Sequence, residues 1–249
     1  MKQIVVALLC ILSGCAALAK EDNECIIAAG SVAPDFSLPH VARAIAKKKL
    51  DVAVIGSASS ELNGPTGTNI AYPTRLEEAL RSLLPGVAVR VTTFTRARET
   101  ASEMGAKLPR IIAESKPALL IWQTGTADAI RGIDPEEFRV ALDDGVDRLR
   151  AADTDVVFMN MQYSPRTEAM LAVTAYADAM RIVALKREAV LFDRFTIMKR
   201  WNEGGVFDLY GATRTTNVAE RVHDCLGRLL ADVVIAGAKL APTIDRGTQ

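Results

Sequence analysis

An α/β fold, a three-layer α/β/α sandwich on a parallel sheet of about five strands, is what the sequence predicts, and two observations carry that expectation. Apolar bursts of strand length recur at residues 51–55, 87–91, 118–122, 155–159 and 189–192. Between them lie segments with the apolar spacing of amphipathic helices. Strands separated by helices of this length need crossover connections, which make neighbouring strands parallel and put helices on both faces of the sheet. Composition agrees, since 249 residues with 49% hydrophobic and 24% charged residues suit one globular domain with a full-sized core.

The elements follow in order. Lys2, the apolar residues 4–12 and a small-residue stretch have the charged, apolar, small sequence of a bacterial export signal, and nine apolar residues are too few to span a bilayer. Two processing routes stay open: a signal at 1–19 cut after Ala17-Leu18-Ala19, or a lipoprotein signal at 1–14, with Leu12-Ser13-Gly14-Cys15 as the lipobox and Cys15 carrying lipid. Residues 20–50 form a lead containing Pro34, Pro39 and a short helix over 41–49. The domain proper occupies 51–239, opening with the strand 51–55 that stops at Gly56, and 240–249 is a tail. Helices are expected over 74–84, 99–115, 135–151 and 166–186, the third opened by Asp134-Pro135 as cap and first turn. The last helix covers 217–235. Gly64-Pro65-Thr66-Gly67 reads as a loop within the domain, and ligands of such a sheet are expected at the carboxyl ends of its strands.

Charge and cysteine content exclude several function classes. Thirty basic residues balance thirty acidic ones, so no uniform positive field exists to hold a nucleic acid. No C-x-x-C pair or His/Cys cluster is present, and neither a metal nor a cofactor is expected. Of four cysteines, Cys10 and Cys15 belong to the leader, which leaves Cys25 and Cys225. In an oxidising compartment that pair suggests one disulfide, the alternative being two unrelated buried thiols. Lys47-Lys48-Lys49 reads as a solvated helix end.

The residues after the strands carry the chemistry. Gly56-Ser57-Ala58-Ser59-Ser60 follows the first strand and Trp122-Gln123-Thr124-Gly125-Thr126-Ala127-Asp128 ends the third. With Gln162-Tyr163-Ser164-Pro165 and the segment from Arg194 to Trp201, these blocks resemble, in order and spacing, those of the SGNH (GDSL-type) hydrolases, closest to their exported bacterial branch. The resemblance covers nearly the whole mature chain and implies a flavodoxin-like sheet and esterase ancestry. It also implies four functional positions, and this chain departs from the family at each. Ala58 stands at the nucleophilic serine, Arg98 at the glycine whose amide helps form the oxyanion hole, and Ala127 at the oxyanion asparagine.

Two alignments of the family histidine remain. One takes Glu220-Arg221-Val222-His223 as a Glu-x-x-His variant of its Asp-x-x-His motif. The other matches Cys225-Leu226-Gly227-Arg228 to the last helix and puts Asn217 at the histidine and Arg214 at the aspartate. The apolar stripe Val218, Val222, Cys225, Leu226, Leu229 favours the second, because it starts the helix near Asn217, with Glu220 as capping partner and His223 in the second turn.

Loss of a nucleophile or base removes on the order of a million-fold in rate from a serine hydrolase. The resemblance therefore implies a pseudo-hydrolase: an exported, periplasmic or lipid-anchored envelope protein that binds a small molecule, an acyl group or an acidic or acylated glycan, or that joins an envelope protein partner. Membrane contact is expected only through a lipid at Cys15. Ser57, Arg96, Arg98, Asp128 and Gln162 are the expected cleft residues, Arg96 and Arg98 either holding a carboxylate or pairing with surface acids such as Glu99. The alternative is an active esterase with a displaced set, Ser57 or Ser59 with His223 and Glu220.

Overall fold

The structure, a computed structural model, describes residues 25, 32–62, 66–210 and 216–240. The expected leader signals, the lipid site Cys15, Arg214 and most of the tail lie outside the described residues.

Five strands form the sheet: β1 (Lys49–Gly56), β2 (Ala88–Thr95), β3 (Leu119–Gln123), β4 (Asp155–Met159) and β5 (Val190–Phe192). All neighbours are parallel and the order is β2-β1-β3-β4-β5. Alternation along the strands builds the three layers. Val52, Val54, Leu119, Ile121, Val157 and Met159 face one core, and Ala53, Ile55, Leu120, Trp122, Val156 and Phe158 face the other. The first face is covered by α1 (Pro39–Ala46), α3 (Tyr72–Leu83), α10 (Arg194–Glu203) and α11 (Thr216–Lys239). Helices α4 (Ala101–Gly105), α5 (Leu108–Ser115), α7 (Pro135–Arg150) and α9 (Val173–Lys186) cover the second. Short helices α2 (Gly67–Ile70), α6 (Thr126–Arg131) and α8 (Pro165–Met170) and a 3₁₀ turn at Ala58–Ser60 complete the connections.

Several expected boundaries move for identifiable reasons. The first strand starts at Lys49, because Lys48 turns the chain with φ of 59° and ends the short helix early. The helix expected over 99–115 is two helices, since Pro109 near the start of α5 has no N–H to continue the ladder from α4. The helix expected over 166–186 breaks at Leu171 and Ala172, and Leu171 packs against the second core.

Side chains tie the layers together. Asp155 accepts the Val41 N–H at the start of α1 at 2.9 Å, so a carboxylate in β4 satisfies an orphan donor of that helix. Burial pushes the Asp155 carboxyl up to about 6 despite that bond. The expected disulfide is present: Cys25 and Cys225 are bonded, fastening the lead to α11. Gly227 of α11 lies so close to α3 that an added Cβ would come within 2.5 Å of the Arg75 Cβ. No helix among the described residues is long and apolar enough to cross a membrane.

Candidate active site

A cleft of about 1200 Å³ opens at the carboxyl ends of the strands, where a parallel α/β sheet collects its functional loops. Ser57, Ala58 and Ser59 come to it from the turn after β1, Arg98 from the loop after β2, Ala127 from α6, Gln162 from the loop after β4, and His223 from α11.

The turn after β1 is organised by Gln123, the last residue of β3. Its Oε1 accepts the Ser57 N–H at 3.1 Å and lies 2.9 Å from the Ser60 hydroxyl, 3.2 Å from Ser59 and 3.4 Å from Ser57. A carbonyl oxygen has two lone pairs, so these donors compete, and the most distant, the Ser57 hydroxyl, is the one best able to turn elsewhere. The turn needs Gly56 beneath it, where a Cβ would fall 2.2 Å from the Ser60 Oγ. Ala58 is exposed and presents a methyl group to the cleft.

Arg98 is exposed and takes φ of 65°, the left-handed region that glycine occupies without strain. Glycine adopts that conformation freely, and here a long cation stands on it. Ala127 is buried in the first turn of α6, a helix capped by Gly125 at φ of 102°.

His223 is 3% exposed, and its Nδ1 accepts the N–H of Tyr72, the first residue of α3, at 2.9 Å. The imidazole thus caps α3 from the side. Burial, with Arg194 nearby, pushes its pKa down to about 3, so the ring is neutral at neutral pH. With the Nδ1 lone pair engaged, the proton sits on Nε2, and a nitrogen that carries a proton can donate but cannot act as a general base. None of Ser57, Ser59 and Ser60 is hydrogen-bonded to His223.

The remaining expected site residues divide. Gln162 lines the cleft, whereas Arg96 and Asp128 do not. Asp128 is buried because its carboxylate accepts the Ala101 N–H at the start of α4, at 3.0 Å, and burial pushes its pKa up. Arg96 is exposed with Nε 3.8 Å from Glu99, which also pairs with Lys107; the surface pairing is what forms at Arg96. Asn217 is exposed in the first turn of α11 and outside the cleft lining, since the helix starts one residue earlier than expected, at Thr216. Glu220 accepts from Arg75 of α3 at 3.1 Å, a pairing outside the displaced catalytic arrangement.

Sequence reasoning missed Arg194 and Gln123. Arg194, first residue of α10, is wholly buried, donates to the Ser59 Oγ at 3.2 Å and to the Gln162 Oε1 at 3.1 Å, and lies 5.9 Å from the Tyr72 ring centroid. Its signal was an arginine two residues past an apolar burst, within a block already matched for its spacing. Among the described residues no group of three or more His, Cys, Asp or Glu side chains is placed to hold a metal ion.

The sequence profile of the non-GDSL lipase-like family matches residues 24–240. The esterase TesA of Pseudomonas aeruginosa is 30% identical over 80 residues, 32% of this chain and 40% of that protein, so the match spans about two-fifths of the curated relative. A crystal structure of TesA superposes with a TM-score of 0.56 at 22% identity, covering 73% of this chain and 98% of TesA. LAE5, an α/β hydrolase enzyme from the metagenome of Lake Arreo, gives 0.58 at 20% identity, over 76% and 94% of the two chains. The acetylxylan esterase Axe2 of Geobacillus stearothermophilus gives 0.56 at 17%, over 78% and 94%. At these identities the structures share the fold.

Proposed function

Because the chain belongs to the non-GDSL lipase-like family, we propose that it is an exported hydrolase-fold protein that has lost ester hydrolysis and uses its cleft to bind an acyl- or acid-bearing ligand of the cell envelope, a small molecule or a glycan. One observation carries the reading: at the turn where this fold places its nucleophile, Ala58 presents a methyl group. The chain has two histidines, and the one at the cleft spends its acceptor nitrogen on Tyr72. A serine hydroxyl at neutral pH needs a base to become a nucleophile. Removing the nucleophile or its base lowers serine-hydrolase turnover by on the order of a million-fold. The same facts weigh against a displaced catalytic set, because Ser57 and Ser59 reach no base and Glu220 is engaged with Arg75.

Export is supported by the Cys25–Cys225 disulfide, since such bonds persist in oxidising compartments. An acyl-related ligand is supported by the names of the relatives, an esterase and an acetylxylan esterase. The test is labelling of the purified, oxidised protein with a fluorophosphonate probe, alongside turnover of short p-nitrophenyl esters. No serine is expected to label, turnover is expected at background, and Ala58→Ser alone is expected to leave it there because the imidazole still faces Tyr72. Stoichiometric labelling of any serine in the wild-type protein overturns the reading.

A further inference from the structure

Arg194 is the buried group that the reading above leaves unexplained. It is 0% exposed and pairs with no carboxylate among the described residues. Its Nε has no hydrogen-bond partner, and its two remaining nitrogens spend themselves on neutral oxygens, the hydroxyl of Ser59 and the amide carbonyl of Gln162. The Tyr72 ring and the neutral His223 imidazole also lie nearby. Burial lowers its pKa only to about 10, so it remains a cation at neutral pH. A buried charge without a counter-charge is strongly unfavourable, and a neutral side chain would fill the same space without that penalty.

Both of its hydrogen-bond partners line the cleft. With its Oε1 held by the guanidinium, Gln162 has its NH₂ group left to donate, and the Ser59 hydroxyl is polarised by the same cation. Low dielectric around a buried charge strengthens its field at the nearby floor. At the rim, Arg98 adds an exposed cation, Arg131 is offset by Glu103 at 2.9 Å, and the lining carboxylate Glu61, held by the Thr95 hydroxyl, keeps its negative charge.

We propose that the missing counter-charge comes from the ligand: the cleft binds a carboxylate over the turn from Ser57 to Ser59, with Arg194 acting from beneath through Ser59 and Gln162. This deepens the reading of the cleft as a binding site and rests on it. The ligand is an acid, not the corresponding ester or amide, and Arg194 is a positioning residue that sets charge preference without touching solvent. Apolar Leu62, Met198, Leu209 and Val222 in the lining suit an aliphatic acid, and the roomy, open cleft also admits an acidic saccharide. The shared chemistry is the carboxylate.

Calorimetric titration of the full oxidised protein with octanoate, octanamide, digalacturonate and its methyl ester tests this. At least one acid is expected to bind about tenfold or more tightly than its neutral counterpart, equivalent to ~1.4 kcal/mol. Octanoate alone identifies the aliphatic source, digalacturonate alone the saccharide. The preference is expected to vanish in Arg194→Gln and to return in Arg194→Lys. Should Arg194→Gln fail to fold, Gln162→Met and Ser59→Ala, which disconnect the guanidinium from the floor, are expected to weaken acid binding by a larger factor than amide binding, so that the acid preference shrinks. Equal binding of acid and neutral partner, no binding of either acid, or a preference that survives these variants overturns the proposal. Fluorophosphonate labelling run on the same sample reports separately on the loss of hydrolysis, so the two failures are distinguishable.

Discussion

His223 shows how one side chain can look catalytic in sequence and act structurally in the fold. Its Nδ1 satisfies the first N–H of α3, and its ring is neutral because burial holds its pKa near 3. The unfolded chain takes up a proton at this position near pH 6.5, where the native protein does not. The stability that His223 contributes is therefore complete above about pH 6.5 and is lost as pH falls toward 3, at up to ~1.4 kcal/mol per pH unit. Asp155 and Asp128, whose carboxyls burial pushes up, act in the opposite sense, their contributions fading as pH rises. The difference between wild type and His223→Ala isolates the histidine. Urea unfolding at pH 7.5 is expected to show a loss of about 1–3 kcal/mol for the variant, from the lost cap and the unsatisfied amide. The gap is expected to narrow toward pH 4, and a gap independent of pH would contradict a buried neutral imidazole.

Among the elements, α7 shows what close packing demands. Gly145 lies against Trp122, and an added Cβ would sit 2.2 Å from the indole ring. Alanine gains up to about 1 kcal/mol over glycine in helix propensity, but overpacking costs about 1–3 kcal/mol. Since Trp122 is wholly buried and also meets Phe158, it has no room to give, and the steric side wins. Gly145→Ala is expected to lower stability by ~1–2 kcal/mol in urea titration and to shift tryptophan emission. Elements of this kind were legible in the sequence because they depend on local periodicity: the strand over 155–159 matches β4 residue for residue, and the remaining strands differ at their ends. The break between α4 and α5 was written in Pro109, whereas Leu171 and Ala172 carry no helix-breaking chemistry and part α8 from α9 through packing. The site was legible only in part. Ser57, Ala58 and Arg98 sit next to recognisable turns, while Gln123 and Arg194 act across 64 and 135 residues on Ser59, a relation that periodicity does not encode.

For the molecule as a whole, the largest single constraint is the disulfide, whose cysteines are 200 residues apart in sequence. Closing so long a loop restricts the unfolded chain strongly, and loss of such a bond typically costs about 2–5 kcal/mol. Cys25→Ser with Cys225→Ser is expected to fall within that range in urea titration, and reductant is expected to destabilise the wild type but not the double variant. Equal stability with and without the bond would mean that the lead and α11 hold together by packing alone, through contacts such as the Leu38 N–H on the Gly237 carbonyl at 2.9 Å.

The same bond decides how the molecule bears mechanical load. All five strands lie between Cys25 and Cys225, inside one covalent ring. Tension applied at the two chain ends passes through the sulfur bridge and bypasses the sheet, so stretching peels away only what lies outside the ring. The cleft keeps its shape under a pull that would unzip the reduced protein strand by strand.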